Sequence, residues 1–132
     1  MKQTVHFKKR DTIEREALRR RVKLFYRRFN KADWAGCHAL IDPQIILKGR
    51  VKPGLYSEMM QAFKNVYGSV NLWFTRVSLH LKATPNQSDK RPFAYVYVIW
   101  QDDSHRFHIF QERWIKDHGQ WFTRVVGLVP NR

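Results

Sequence analysis

The stretch Phe93-Ala94-Tyr95-Val96-Tyr97-Val98-Ile99-Trp100-Gln101-Asp102-Asp103-Ser104-His105-Arg106-Phe107-His108-Ile109-Phe110 decides the fold. Nine residues rich in β-branched and aromatic side chains meet a polar Asp-Asp-Ser turn, and a second run of the same kind follows. That is the pattern of an antiparallel hairpin. Working outward, Val70–Leu81 and Trp121–Leu128 read as flanking strands. Ala83–Pro92 is a polar loop, and Asp117-His118-Gly119 supplies the last turn, where Gly meets a demand for positive φ. Four strands, Val70–Leu81, Phe93–Gln101, His105–Lys116 and Trp121–Leu128, thus form a meander.

Upstream, the period changes. Leu18, Val22, Phe25 and Phe29 fall at i, i+4, i+7 and i+11, one stripe of an amphipathic helix over Thr12–Asn30. Asp11 or Thr12 is its expected cap, and residues 1–10 are expected to be a frayed or strand-like tail. Asp33 can cap a short helix over Trp34–Leu40 that ends before Asp42-Pro43. Ile45-Ile46-Leu47 reads as a short strand and Gly49–Gly54 as a turn. Leu55–Val66 reads as a helix with Met59, Ala62, Phe63 and Val66 on one side, stopped at Gly68. Helices followed by a meander define an α+β domain, with the helices gathered on one face of a bent sheet.

The order of these elements, with Phe25-Tyr26-Arg27-Arg28-Phe29-Asn30-Lys31-Ala32-Asp33-Trp34, Leu40-Ile41-Asp42-Pro43 and Asp117-His118-Gly119-Gln120-Trp121, resembles the nuclear transport factor 2-like superfamily. That superfamily is of cystatin-like α+β type and includes SnoaL-like and ketosteroid isomerase-like proteins. The resemblance spans roughly residues 11–128. It implies a cone-shaped fold, a strongly curved antiparallel sheet around about three N-terminal helices, with a pocket at the wide end and homodimers formed through the outer sheet face. It does not imply one function, because this fold hosts isomerases, dehydratases, cyclases and ligand-binding domains.

Length and composition set further bounds. The 132 residues suit a single domain, residues 1–132, and 19 aromatics suffice for a core. One cysteine, Cys37, allows no intramolecular disulfide and reads as a small buried apolar residue. There is no apolar run of signal-peptide or membrane-span length, so a cytoplasmic protein without a membrane partner is expected. The net charge of +14 is uneven: residues 1–31 hold 12 Lys/Arg against three acids. Such asymmetry points to a polyanionic partner or to solubility.

Candidate sites follow from the strands. With Asp103-Ser104 as a two-residue turn, Trp100 lies opposite Phe107, Ile99 opposite His108 and Tyr95 opposite Glu112. One face is then apolar (Val96, Val98, Trp100, Phe107, Ile109), and the other carries Tyr95, Tyr97, His108, Phe110 and Glu112. A carboxyl, an imidazole and phenols in an apolar cavity can support proton abstraction or elimination, which makes Tyr97, His108 and Glu112 the catalytic candidates. The alternative is that they are hydrogen-bonded rim residues. Tyr95, Trp100, Arg113 and Arg124 are candidate ligand contacts. A three-residue last turn pairs Glu112 with Arg124, whereas a tight His118-Gly119 turn sets Arg113 against Arg124, where with Arg106 they can hold an anion.

Arg15, Arg19, Lys23 and Arg27 form a basic row on the first helix, flanked by Arg20, Arg28, Lys31 and the tail Lys8-Lys9-Arg10, and can track a phosphate backbone. A solvated face is the plainer reading. The six histidines are scattered and no metal motif or phosphate loop exists, so neither metal nor cofactor is expected. Large side chains on both sheet faces suggest a homodimer. Three functions remain compatible: binding a small hydrophobic ligand, cofactor-free lyase or isomerase chemistry, and binding a polyanion such as nucleic acid, or another partner, through the first helix.

Overall fold

A computed structural model describes residues 2–128, with side chains from Lys9 onward. Four helices, α1 (Lys2–Asn30), α2 (Trp34–His38), α3 (Pro43–Leu47) and α4 (Pro53–Tyr67), precede four strands, β1 (Asn71–His80), β2 (Phe93–Gln101), β3 (Phe107–Asp117) and β4 (Gln120–Thr123). The strands form one antiparallel sheet in the order β1-β2-β3-β4. The α+β class and the meander are as the sequence predicts.

The helix α1 buries the predicted stripe: Leu18, Val22 and Phe29 are fully buried and Phe25 nearly so. It begins at Lys2, so the expected tail is helical backbone; the side chains of residues 1–8, including Lys8, lie outside the described residues. No Gly or Pro interrupts residues 2–11. Asp11 is not a cap but an interior residue that binds Arg15 one turn on, Oδ2 to Nε at 2.7 Å. At the far end Ala32 takes the left-handed φ of 55°, and the Asp33 N–H closes back onto the Arg28 carbonyl. Asp33 then caps α2, accepting from the Gly36 amide.

Two local expectations change. Ile45-Ile46-Leu47 belongs to a helix, not a strand. Asp42 accepts from the Gln44 amide and Pro43 occupies the first turn, so the cap overrides the β preference of the isoleucines. This is why four helices stand where about three were expected. In α4 the buried side is Tyr56, Met60, Phe63 and Tyr67, while Ala62 and Val66 face solvent. The three rings remove far more apolar area from water than the opposite face would.

The β2–β3 connection is longer than predicted. Asp102 N–H donates to the Arg106 carbonyl, leaving Asp103-Ser104-His105 as a three-residue loop whose last residue has φ 65°. Trp100 therefore faces His108, Val96 faces Glu112 and Tyr95 faces Arg113. One residue of slip exchanges faces. Ala94, Val96, Val98, Trp100, Glu112 and Trp114 point inward and are buried, while Phe107 and Ile109 are 56% and 65% exposed on the outer face. The last hairpin has the tight turn: His118 (φ 49°) and Gly119 (φ 81°) join Asp117 to Gln120, and Arg113 faces Arg124. Glu112 and Arg124 are consequently not paired. The strand β4 stops at Thr123, because the Thr123 hydroxyl accepts from the Val125 amide and bends the chain.

Candidate functional site

The inward face of β3 carries the one carboxyl that, among the described residues, the core encloses without a cation. Glu112 is 3% exposed. It accepts from the Tyr26 hydroxyl of α1 at one oxygen and from Trp114 Nε1 at 3.0 Å at the other. Burial pushes its pKa up, although both hydrogen bonds oppose the shift. Burial, with Glu112 beside it, likewise raises the Tyr26 phenol well above its ordinary value.

Because β4 ends early, β3 is uncovered over residues 109–112, and the segment 125–128 runs beside it. A cleft of about 260 Å³ lies there, lined by Phe110, Glu112, Val125 and Leu128 with Ile109, Gln111 and Gly127 at its edge. Among the described residues Glu112 is the only ionisable group that lines it.

The catalytic candidates do not converge. Tyr97 stands on the outer face, 38% exposed, opposite Gln111. His108 points inward at the other end of the strand, stacked on Trp100 at 4.4 Å. Its Nε2 lies 2.8 Å from Asp102 Oδ2. Asp102 also accepts from the Ser104 and Arg106 amides, so this pair anchors the β2–β3 loop. The bond with His108 is the main cause that lowers the Asp102 pKa to about 2.

The ligand candidates are likewise separated. Trp100 is fully buried against Phe63, Tyr67 and Phe110, filling the space that a pocket between helices and sheet would need. Tyr95 packs on Phe93 and His80 outside. Arg113 lies over the Phe93 ring at 4.5 Å, Arg124 turns to Asp42, and Arg106 reaches Asp102. The three arginines thus form no common anion site. Cys37 is buried, and burial pushes its thiol up to about 12.

A charged cluster that the sequence does not announce joins three distant segments. Asp42 at the start of α3 binds Arg91 through both oxygens (2.7 and 2.9 Å) and Arg124 at 2.6 Å. Arg91 also binds Asp89 and, at 3.2 Å, Asp117. Burial works against the Asp42 charge, but the arginine hydrogen bonds outweigh it and hold the carboxyl at about 2. Every charge here has a partner, and the cluster ties the loop after β1 to the last hairpin.

On α1, Arg15 is occupied by Asp11 and the Val77 carbonyl. Arg19, Lys23 and Arg27 instead border an open groove against β1. Among the described residues no three His, Cys, Asp or Glu side chains gather to hold a metal ion, and no helix is long and apolar enough to cross a membrane. Comparison with family models, curated proteins and solved structures gave no match.

Proposed function

We propose that this protein binds a small apolar ligand bearing one polar group in the cleft at Glu112, within the cone-shaped plan that its sequence resembles. The observation that carries this reading is that Glu112, a buried carboxyl with raised pKa, lines a cleft together with the apolar Ile109, Phe110, Val125 and Leu128. In its neutral form the carboxyl can donate to a ligand carbonyl while Tyr26 and Trp114 hold it in place. At about 260 Å³ the cleft falls just below the range of small-molecule pockets, roughly 300 Å³ upward, so the ligand is small. NMR titration with cyclohexanone tests it. Saturable amide shifts at residues 109–112 and 125–128, abolished by Val125→Trp, support the site; shifts absent or spread over the surface remove it.

A second reading concerns assembly. Tyr97, Ile99, Phe107 and Ile109 adjoin on the outer sheet face, and three of them are exposed apolar groups. Such a strip favours a homodimer built face to face. Light scattering should give twice the chain mass, returning to one with Ile109→Asp; a monomeric wild type ends this reading.

A further inference from the structure

We propose that the groove between α1 and the edge strand β1 binds single-stranded nucleic acid. This inference is independent of the cleft at Glu112. Two adjoining hollows, of about 400 and 430 Å³, share Lys23 and Leu72 and so form one groove. Its helical wall carries Arg19, Lys23 and Arg27 at four-residue intervals, a step of roughly 6 Å along the axis, and Lys31 follows in the turn just past the helix end. None of these four lies within ion-pair distance of a carboxylate among the described residues, unlike Arg15 before them.

The other wall is the edge of β1, where Trp73 and Phe74 line the same hollow as Arg19 and Lys23. A bulge between Leu72 and Phe74 breaks the alternation of β1, so consecutive residues Trp73 and Phe74 both reach solvent, 62% and 56% exposed. Trp73 is nevertheless held: its Nε1 donates to Gln101 Oε1 at 3.1 Å, and it meets Phe107 edge-on at 5.1 Å. A fixed, exposed ring beside a row of unpaired cations is the arrangement by which proteins take up unstacked bases while following the phosphates. A duplex keeps its bases stacked inside and offers the rings nothing. An acidic peptide would use the cations but leave Trp73 idle. The row is long enough for roughly four nucleotides.

Fluorescence anisotropy with end-labelled dT12 and rU12, a 12-base-pair duplex and heparin, from 50 to 300 mM salt, tests this. Either single strand should bind more tightly than duplex and heparin, with a log–log salt slope of roughly −3 for four cations. Trp73→Ala should lose about tenfold or more with the slope retained, and Trp73→Phe should recover most of it. The double variant Lys23→Glu/Arg27→Glu should flatten the slope, its folding checked by circular dichroism. Equal binding of duplex or heparin, unchanged affinity in Trp73→Ala, or a Trp73→Ala protein that only changes from dimer to monomer would each overturn the proposal.

Discussion

Asp42→Asn isolates the charge at the centre of the Asp42–Arg91–Arg124 cluster. Asparagine keeps the shape and an oxygen for the Gln44 amide that starts α3. It places an NH2 where Oδ2 now accepts from both Arg91 and Arg124, so donors meet donors. Asp42 is fully buried, whereas the Arg91 and Arg124 side chains are 15% and 35% exposed. Losing one partner of a buried pair costs about 3–5 kcal/mol, and water reaching the arginines keeps the loss at the low end, about 3 kcal/mol. For 132 residues, with an unfolding entropy of about 2.1 cal/mol/K per residue, that is a fall in Tm of roughly 10 °C.

The pH profile makes the same claim independently. Asp42 has a folded pKa of about 2, below its unfolded value of about 3.9. Its contribution is therefore fully present above the unfolded pKa and is lost as pH falls through about 2. Thermal unfolding followed by circular dichroism should show a constant gap between wild type and variant above about pH 5, closing towards pH 2. A gap under about 1 kcal/mol at pH 7, or one that does not change down to pH 2, would refute the reasoning.

Glu112→Gln should behave in the opposite sense. Because the folded pKa of Glu112 is raised, wild type is most stable below the unfolded pKa of about 4.3 and loses stability as pH rises through the folded value, whereas the amide removes that slope in urea titrations. Leu18→Ala, at a fully buried position of α1, should cost about 3 kcal/mol by chemical denaturation. Ala32→Gly should gain about 0.5–1 kcal/mol in the same assay, since glycine accepts a φ of 55° without the clash alanine suffers.

Legibility followed the range of the interactions. The α1 stripe and the Asp33 cap depend on residues within a few positions of one another, and both were readable. The α3 helix is not legible in its own apolar run, because Ile45-Ile46-Leu47 taken alone favours a strand, while Asp42 and Pro43 before it outweigh that preference. Arg91 and Asp42 are 49 residues apart, and nothing in a polar loop marks which arginine will cross the molecule. Trp73 reads as one more strand residue until the bulge turns it outward.

The β2–β3 loop shows how little separates one site from another. Strand partners there sum to 208, an even number, so only residues of the same parity share a face. Tyr97 therefore goes with Ile109 and Gln111, and His108 and Glu112 go with Trp100 and Val96. A two-residue turn gives an odd sum and would have set Tyr97, His108 and Glu112 on one face. What selects the even register is the burial of Trp114 at 0% exposure, and Tyr26 and the Trp114 indole satisfy the carboxyl of Glu112 that enters the core with it. The odd register would carry Trp114 to the surface and bury the Arg113 charge instead. The loop accordingly accepts His105 at φ 65°. The same slip that parts Tyr97 from His108 and Glu112 buries Glu112 away from any cation, and burial raises the pKa on which the ligand reading rests.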